Sequence, residues 1–76
     1  MEIIFPDHAS NSLSERRISK SLVVETILNP NKVIESRKSR KIAQKVIGLR
    51  VLNVIYKETP NTYIVVTAYY SKLEIR

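Results

Sequence analysis

The amino-acid sequence predicts an α+β fold: one N-terminal strand, two helices, then a four-stranded antiparallel meander with both helices on one face of the sheet. Three observations predict it. Helical spacing of apolar residues is confined to the stretch between Asp7 and Asn29. From Lys32 onward β-branched and aromatic residues dominate and no helical period survives. Within that second part turn sequences recur at short intervals, as hairpins require and parallel crossovers forbid.

Residues Glu2 to Phe5 form the first strand, with Ile3, Ile4 and Phe5 apolar and Pro6 ending it. Asp7 is placed to cap a helix running to about Arg17. Its apolar stripe is thin, Ala9 and Leu13, and the serines and asparagine between Ser10 and Ser14 weaken it. Arg16 and Arg17 fall in its last turn, where cations complement the helix dipole. The second helix is better marked. Ser19 is a good N-cap, Ile18 can staple against Val23, and Val23, Val24, Ile27 and Leu28 form an apolar face that Asn29-Pro30 terminates. Strands are expected at Lys32 to Ser36, Arg40 to Ile47, Arg50 to Lys57 and Tyr63 to Tyr70. The turns between them are Arg37 to Ser39, the surroundings of Gly48, and Glu58 to Thr62 with its Thr59-Pro60-Asn61 sequence.

Composition narrows the functional classes. The chain has 76 residues, read as one domain over residues 1–76, and a chain of this size buries only about 60% of the surface it exposes when unfolded. With no cysteine and one histidine, disulfide scaffolds, zinc fingers and thiol chemistry are excluded, and neither a metal nor another cofactor is expected. A single glycine, Gly48, cannot build a glycine-rich phosphate loop. No apolar run reaches membrane-span length, and the start Met1-Glu2-Ile3-Ile4 lacks the features of a signal peptide, so no membrane partner is expected and the compartment is read as cytoplasmic. Thirteen Lys and Arg against seven Asp and Glu leave a net charge of +6. The excess is local: from Ser36 to Lys57 there is no acid, while Arg37, Lys38, Arg40, Lys41, Lys45, Arg50 and Lys57 are all basic.

Alternation assigns Ile64, Val66, Ala68 and Tyr70 to the core side of the last strand. Two thin helices cover one face only. The expected open face then carries Arg50, Leu52, Val54, Tyr56, Val65, Thr67 and Tyr69, too apolar for ordinary surface and too rich in Arg and Tyr for ordinary core. Such a face meets a partner: RNA, whose bases stack on tyrosine and arginine, or protein, including a second copy paired through the Tyr-rich face.

Metal-free RNA cleavage needs a base for the ribose 2′-hydroxyl, cations for the phosphate and an acid for the leaving oxygen. His8 is the chain's one histidine, the residue type that exchanges a proton near neutral pH, although a histidine near a helix start often makes a simple hydrogen bond. Arg50, read as mid-strand among apolar residues, would hold a phosphate or pair with Glu15 or Glu35. Tyr69 would stack a base and Thr67 orient a phosphate, or both are ordinary strand formers. Arg37, Lys38, Arg40, Lys41 and Lys45, with Arg17, are the candidate phosphate binders; a solvated turn or an acidic protein partner would use the same charge.

Five short marks, in order along nearly the whole chain, resemble one family. They are His8-Ala9, Glu15-Arg16 followed by Ile18-Ser19, Leu28-Asn29-Pro30, Leu49-Arg50-Val51 and Val66-Thr67-Ala68-Tyr69. The sequence resembles the uncharacterised family catalogued as domain of unknown function 4258, small proteins thought to share the RelE-like fold of barnase and colicin type ribonucleases. It departs at Ser12, where the family commonly has arginine, and at Arg17, where it commonly has glycine. The resemblance implies a toxin of a toxin–antitoxin pair or a related ribonuclease; joined to the residue chemistry above, the expectation is a metal-independent endoribonuclease acting on RNA, free or on the ribosome, with His8, Arg50 and Tyr69 at the catalytic site and a cognate antitoxin as partner. The rival expectation is a non-catalytic basic module that binds RNA, the ribosome or a protein.

Overall fold

The computed structural model describes residues 1–73 and gives the expected order of elements. They are β1 (Glu2–Ile4), α1 (Asp7–Glu15), α2 (Lys20–Leu28), β2 (Lys32–Glu35), β3 (Arg40–Ile47), β4 (Arg50–Glu58) and β5 (Thr62–Lys72). The sheet is mixed and five-stranded, in the order β1-β5-β4-β3-β2. β2 to β5 form the predicted antiparallel meander, and β1 joins it parallel to β5, with Ile3 beside Tyr63. Gly48, at φ 64°, makes the β3–β4 turn, where the first turn position needs the left-handed conformation.

Local chemistry sets the helix ends. α1 starts on Pro6 without a side-chain cap, so Asp7 contributes as an acid in the first turn rather than as the expected N-cap. It ends at Glu15, short of Arg17. The Arg17 amide donates to the Ser14 carbonyl and the Ile18 amide to the Leu13 carbonyl, a Schellman closure with Leu13 and Ile18 both buried. Arg17 takes the left-handed position at φ 57°, where glycine fits without strain and where the family resemblance expects one. α2 begins as predicted, the Leu22 amide donating to the Ser19 hydroxyl at 3.2 Å. Its buried face is Val23, Thr26 and Ile27; Leu28, expected on it, is exposed.

The faces of β4 and of the first half of β5 are the reverse of the expectation, whereas Ala68 and Tyr70 lie on the core side of β5 and Tyr69 on the open side, as expected. Leu52, Val54, Tyr56 and Val65 are buried beneath the helix layer with Ala43 and Ala68, and α1 packs against β5 while α2 packs against β3 and β4. Within β5 the physical reason is a β-bulge. Ile55 lies opposite Thr67 but Tyr56 lies opposite Val65, so Val66 is an extra residue in β5. The bulge lets Ala68 and Val65, three apart, face the same core. Strict alternation forces one of them out, and it misassigned Ile64 and Val66 to the interior.

Candidate functional site

Cross-strand register defines the uncovered face as a set of rungs, because directly opposed residues point to the same side. Ile34, Ile42 and Ile55 form one rung. Lys32, Gln44, Asn53 and Tyr69 form the next, and Val46, Val51 and Ser71 a third. At the opposite end Arg40 faces Lys57, which continues to Ile64 and Ile4. Asn53 is buried within this face: its Oδ1 accepts from Gln44 Nε2 at 2.7 Å, and its Nδ2 donates to the Ser71 hydroxyl at 2.9 Å. The polar rung is thus pinned, and Tyr69, 37% exposed, stands at its end.

Arg40 and Lys57 are the electrostatic anomaly. Like charges directly opposite on neighbouring strands destabilise a sheet. Neither has an ion-pair partner among the described residues, and the Arg40 Nε is buried without a hydrogen-bond partner. Glu2 is the one acid among the described strand residues that points to this face; two strand spacings and two residues separate it from Lys57, roughly 12 Å, beyond the Debye length in physiological salt.

The rest of the basic run is divided between faces. Lys41 and Lys45 alternate to the helix side. Lys41 Nζ lies 3.1 Å from Glu58 Oε1, and that hydrogen-bonded carboxylate raises the Lys41 pKa above its ordinary value. Lys45 donates to the Asn29 carbonyl at 2.9 Å and lies 3.9 Å from Glu25. A cleft of about 530 Å³ beside Lys41 includes Glu35, Ser36, Ser39, Glu58 and Thr59, so its lysine already sits between two carboxylates. Burial, not charge, dominates at neighbouring Tyr56, whose phenol is pushed up in pKa. Arg37 and Lys38 are exposed in the β2–β3 turn, with Lys38 and Ser39 both left-handed at φ 59° and 61°.

Arg50 is the first residue of β4, not a mid-strand position, and is exposed. It forms no ion pair with Glu15 or Glu35; its guanidinium stacks 3.9 Å from the centroid of the Tyr70 ring, which explains the arginine without a phosphate. Thr67 turns its hydroxyl to α1, 2.8 Å from the Ser12 hydroxyl, and Arg16 donates to the adjacent Ala68 carbonyl at 2.8 Å. Ser12, where the resemblance expects a basic residue, thus serves as a neutral dock for β5. His8 is exposed on α1, one turn before Ser12, while Arg50 lies opposite Lys72, five residues along β5 from Thr67 and so roughly 17 Å away. Tyr69 is on the other face from Arg50. The fold therefore does not gather His8, Arg50 and Tyr69 at one point, and Arg17 is held in the α1 closure.

What it does gather, Arg40 with Lys57 and Lys32 with Gln44, Asn53 and Tyr69, includes four residues that sequence reasoning passed over. A signal for Lys57 exists: reflection about a Gly48-Leu49 turn pairs Ile47 with Arg50 and therefore Arg40 with Lys57. No helix among the described residues is long and apolar enough to cross a membrane. Neither a search of curated proteins nor one of solved structures finds a match. A family model does match, over residues 5–70, from the end of β1 through most of β5. A chain matched from Phe5 to Tyr70 by one family model is a member of that family, and this chain belongs to the domain of unknown function family DUF4258.

Proposed function

We propose that the chain binds RNA across the open face of its sheet, as an endoribonuclease toxin of a toxin–antitoxin pair with RelE-like architecture. The observation that supports it is the Arg40–Lys57 pair: two directly opposed cations without a described acid partner, one with a buried unpartnered N–H. An RNA phosphate between them relieves the repulsion. Tyr69 and the Gln44–Asn53 rung then lie four residues further along the strands, beyond the Ile42–Ile55 rung, where a base can stack and find amide partners. The same pair supports cleavage, since attack of the ribose 2′-oxygen on phosphorus builds negative charge that adjacent cations stabilise. In that step the 2′-oxygen loses its proton to a base, the bond from phosphorus to the 5′-oxygen breaks, that oxygen is protonated, and a cyclic phosphate remains. No metal takes part, and the work belongs in the cytoplasm, where an acidic antitoxin would cover this face.

The second reading is a non-catalytic module that binds RNA, the ribosome or a protein. The separation of His8, Arg50 and Tyr69 favours it. One experiment tests both: titrate labelled single-stranded RNA with purified protein in chelator, follow anisotropy against salt, and examine the RNA afterwards. About four phosphate contacts give a log–log salt slope near −3, and Arg40→Ala or Lys57→Ala each flattens it by about 0.7. A cyclic-phosphate product that both variants lose supports the toxin, and binding without cutting supports the module. RNA binding untouched by either substitution removes the open-face reading.

A further inference from the structure

The sheet ends in two edge strands, the three-residue β1 and the longer β2. β5 beyond Ile64 is screened by α1 and by Arg16 on the Ala68 carbonyl, but β2 is outermost in the strand order, and all of its residues are exposed. Its centre is apolar on both sides: Val33, 45% exposed, points to the helix face and Ile34, 37% exposed, to the open face. Register identifies the free backbone groups. The Ser36 amide donates to the Arg40 carbonyl, so Ser36, Ile34 and Lys32 bond inward to β3, and the N–H and C=O groups of Val33 and Glu35 point outward.

We infer that this edge is a homodimer seam, where β2 pairs antiparallel with β2 of a second copy about a two-fold axis perpendicular to the sheet. Such an axis opposes residues of like parity only, which leaves two centred registers. One sets Val33 opposite itself and needs the Asn31 amide, already given to the Gln44 carbonyl at 2.8 Å. The other sets Ile34 opposite itself, and each Val33 exchanges both backbone bonds with Glu35 of the second copy. That register uses every outward group and places no like charges directly opposite: Lys32 meets Ser36, and Glu35 meets Val33 while keeping Lys41 of its own chain beside it. It also joins the Ile55-Ile42-Ile34 rung to its symmetry mate, making one apolar row across both copies. A second copy fits better than an unrelated strand because all of this complementarity lies within one sequence. A seam this short buries less than the roughly 1,000 Å² of a stable interface, so the dimer is weak and, at +6 per chain, strengthens with salt.

The chain has no cysteine, so single engineered thiols report cleanly. Ile34→Cys puts two thiols at a non-hydrogen-bonded antiparallel position, where Cα atoms about 4.5 Å apart satisfy disulfide geometry. Under mild oxidation at about 100 µM in 0.3 M salt, Ile34→Cys is expected to cross-link at least ~10 times faster than Val33→Cys, and faster by a similar factor than Leu49→Cys, an 85% exposed collision control. Unmodified protein should show concentration-dependent dimer in sedimentation, lost in Ile34→Lys and restored when Ile34→Lys is mixed with Ile34→Glu. Circular dichroism checks that each variant is folded. Equal cross-linking rates in the three thiol variants, or unmodified protein that stays monomeric to about 1 mM, overturn the inference; RNA binding plays no part in either readout.

Discussion

Replacing Lys57 by glutamate should make the protein more stable and abolish the proposed RNA binding. Arg40 and Lys57 face each other across β3 and β4, with Cβ atoms roughly 5 Å apart and charge centres about 6 Å apart. In water, two unit charges at that distance repel by about 0.7 kcal/mol, and reversing one sign swings the pair by about 1.4 kcal/mol. Exposure of Lys57 and screening in physiological salt cut this to about 0.5–1 kcal/mol. For a domain of this size the midpoint of thermal unfolding should rise by roughly 2–8 °C. The assay is a melting curve at ~20 mM and ~1 M salt, where the Debye length contracts to about 3 Å and the gain should vanish. Lys57→Ala should show about half the gain. RNA anisotropy on the same samples should show loss of binding, because the new carboxylate repels phosphate and occupies Arg40. A Glu variant that melts at or below the parent in low salt, or a gain that persists at 1 M salt, refutes the view that this pair is an unrelieved repulsion.

Three further substitutions probe other parts of the molecule. Leu52→Ala, at a fully buried position in β4, should cost about 2–4 kcal/mol in urea unfolding, a large share of the stability of so small a domain. Ser39→Gly should raise stability by about 1 kcal/mol, since Ser39 sits at φ 61°, and an unchanged urea midpoint would count against strain in that turn. Stability should fall as pH rises past about 10, because Lys41, raised by Glu58, and Tyr56, raised by burial, both keep protons that the unfolded chain releases there. Melting curves between pH 9 and 11 should flatten in Tyr56→Phe and in Lys41→Met, and an unaltered slope in both would reject these two groups as its source.

Local signals made the order and type of every element readable in the sequence. Ser19, Asn29-Pro30, Gly48 and Thr59-Pro60-Asn61 act within a few residues of themselves, so they mark boundaries before any tertiary contact forms. The faces were readable only in part: Ala68, Tyr69 and Tyr70 fall where alternation puts them, but one inserted residue at Val66 shifts the parity of the first half of β5, and nothing in a run of β-branched residues marks where it falls. Parallel pairing of β1 with β5 was equally hidden. The candidate site was legible as a surplus of positive charge and not as a geometry. Contiguous basic residues in a strand point in opposite directions, so Arg40 and Lys41 part company, and Arg40 finds its neighbour in Lys57, 17 positions on.

The pairing of Glu2–Ile4 with Thr62–Ile64 bears on the birth of the protein. Sixty positions separate Glu2 from Thr62, so β1 has no strand to join until the residues through β5 have left the ribosome. Until then Ile3 and Phe5, which finally pack against the core, remain in water, and α1 has no β5 against which to dock Ser12 and Arg16. The local hairpins β2–β3 and β3–β4 can close early, whereas the last step is a long-range closure whose entropy is repaid only at the end. Folding should therefore be slow for so short a chain, and a nascent copy stalled before Thr62 should be protease-sensitive throughout.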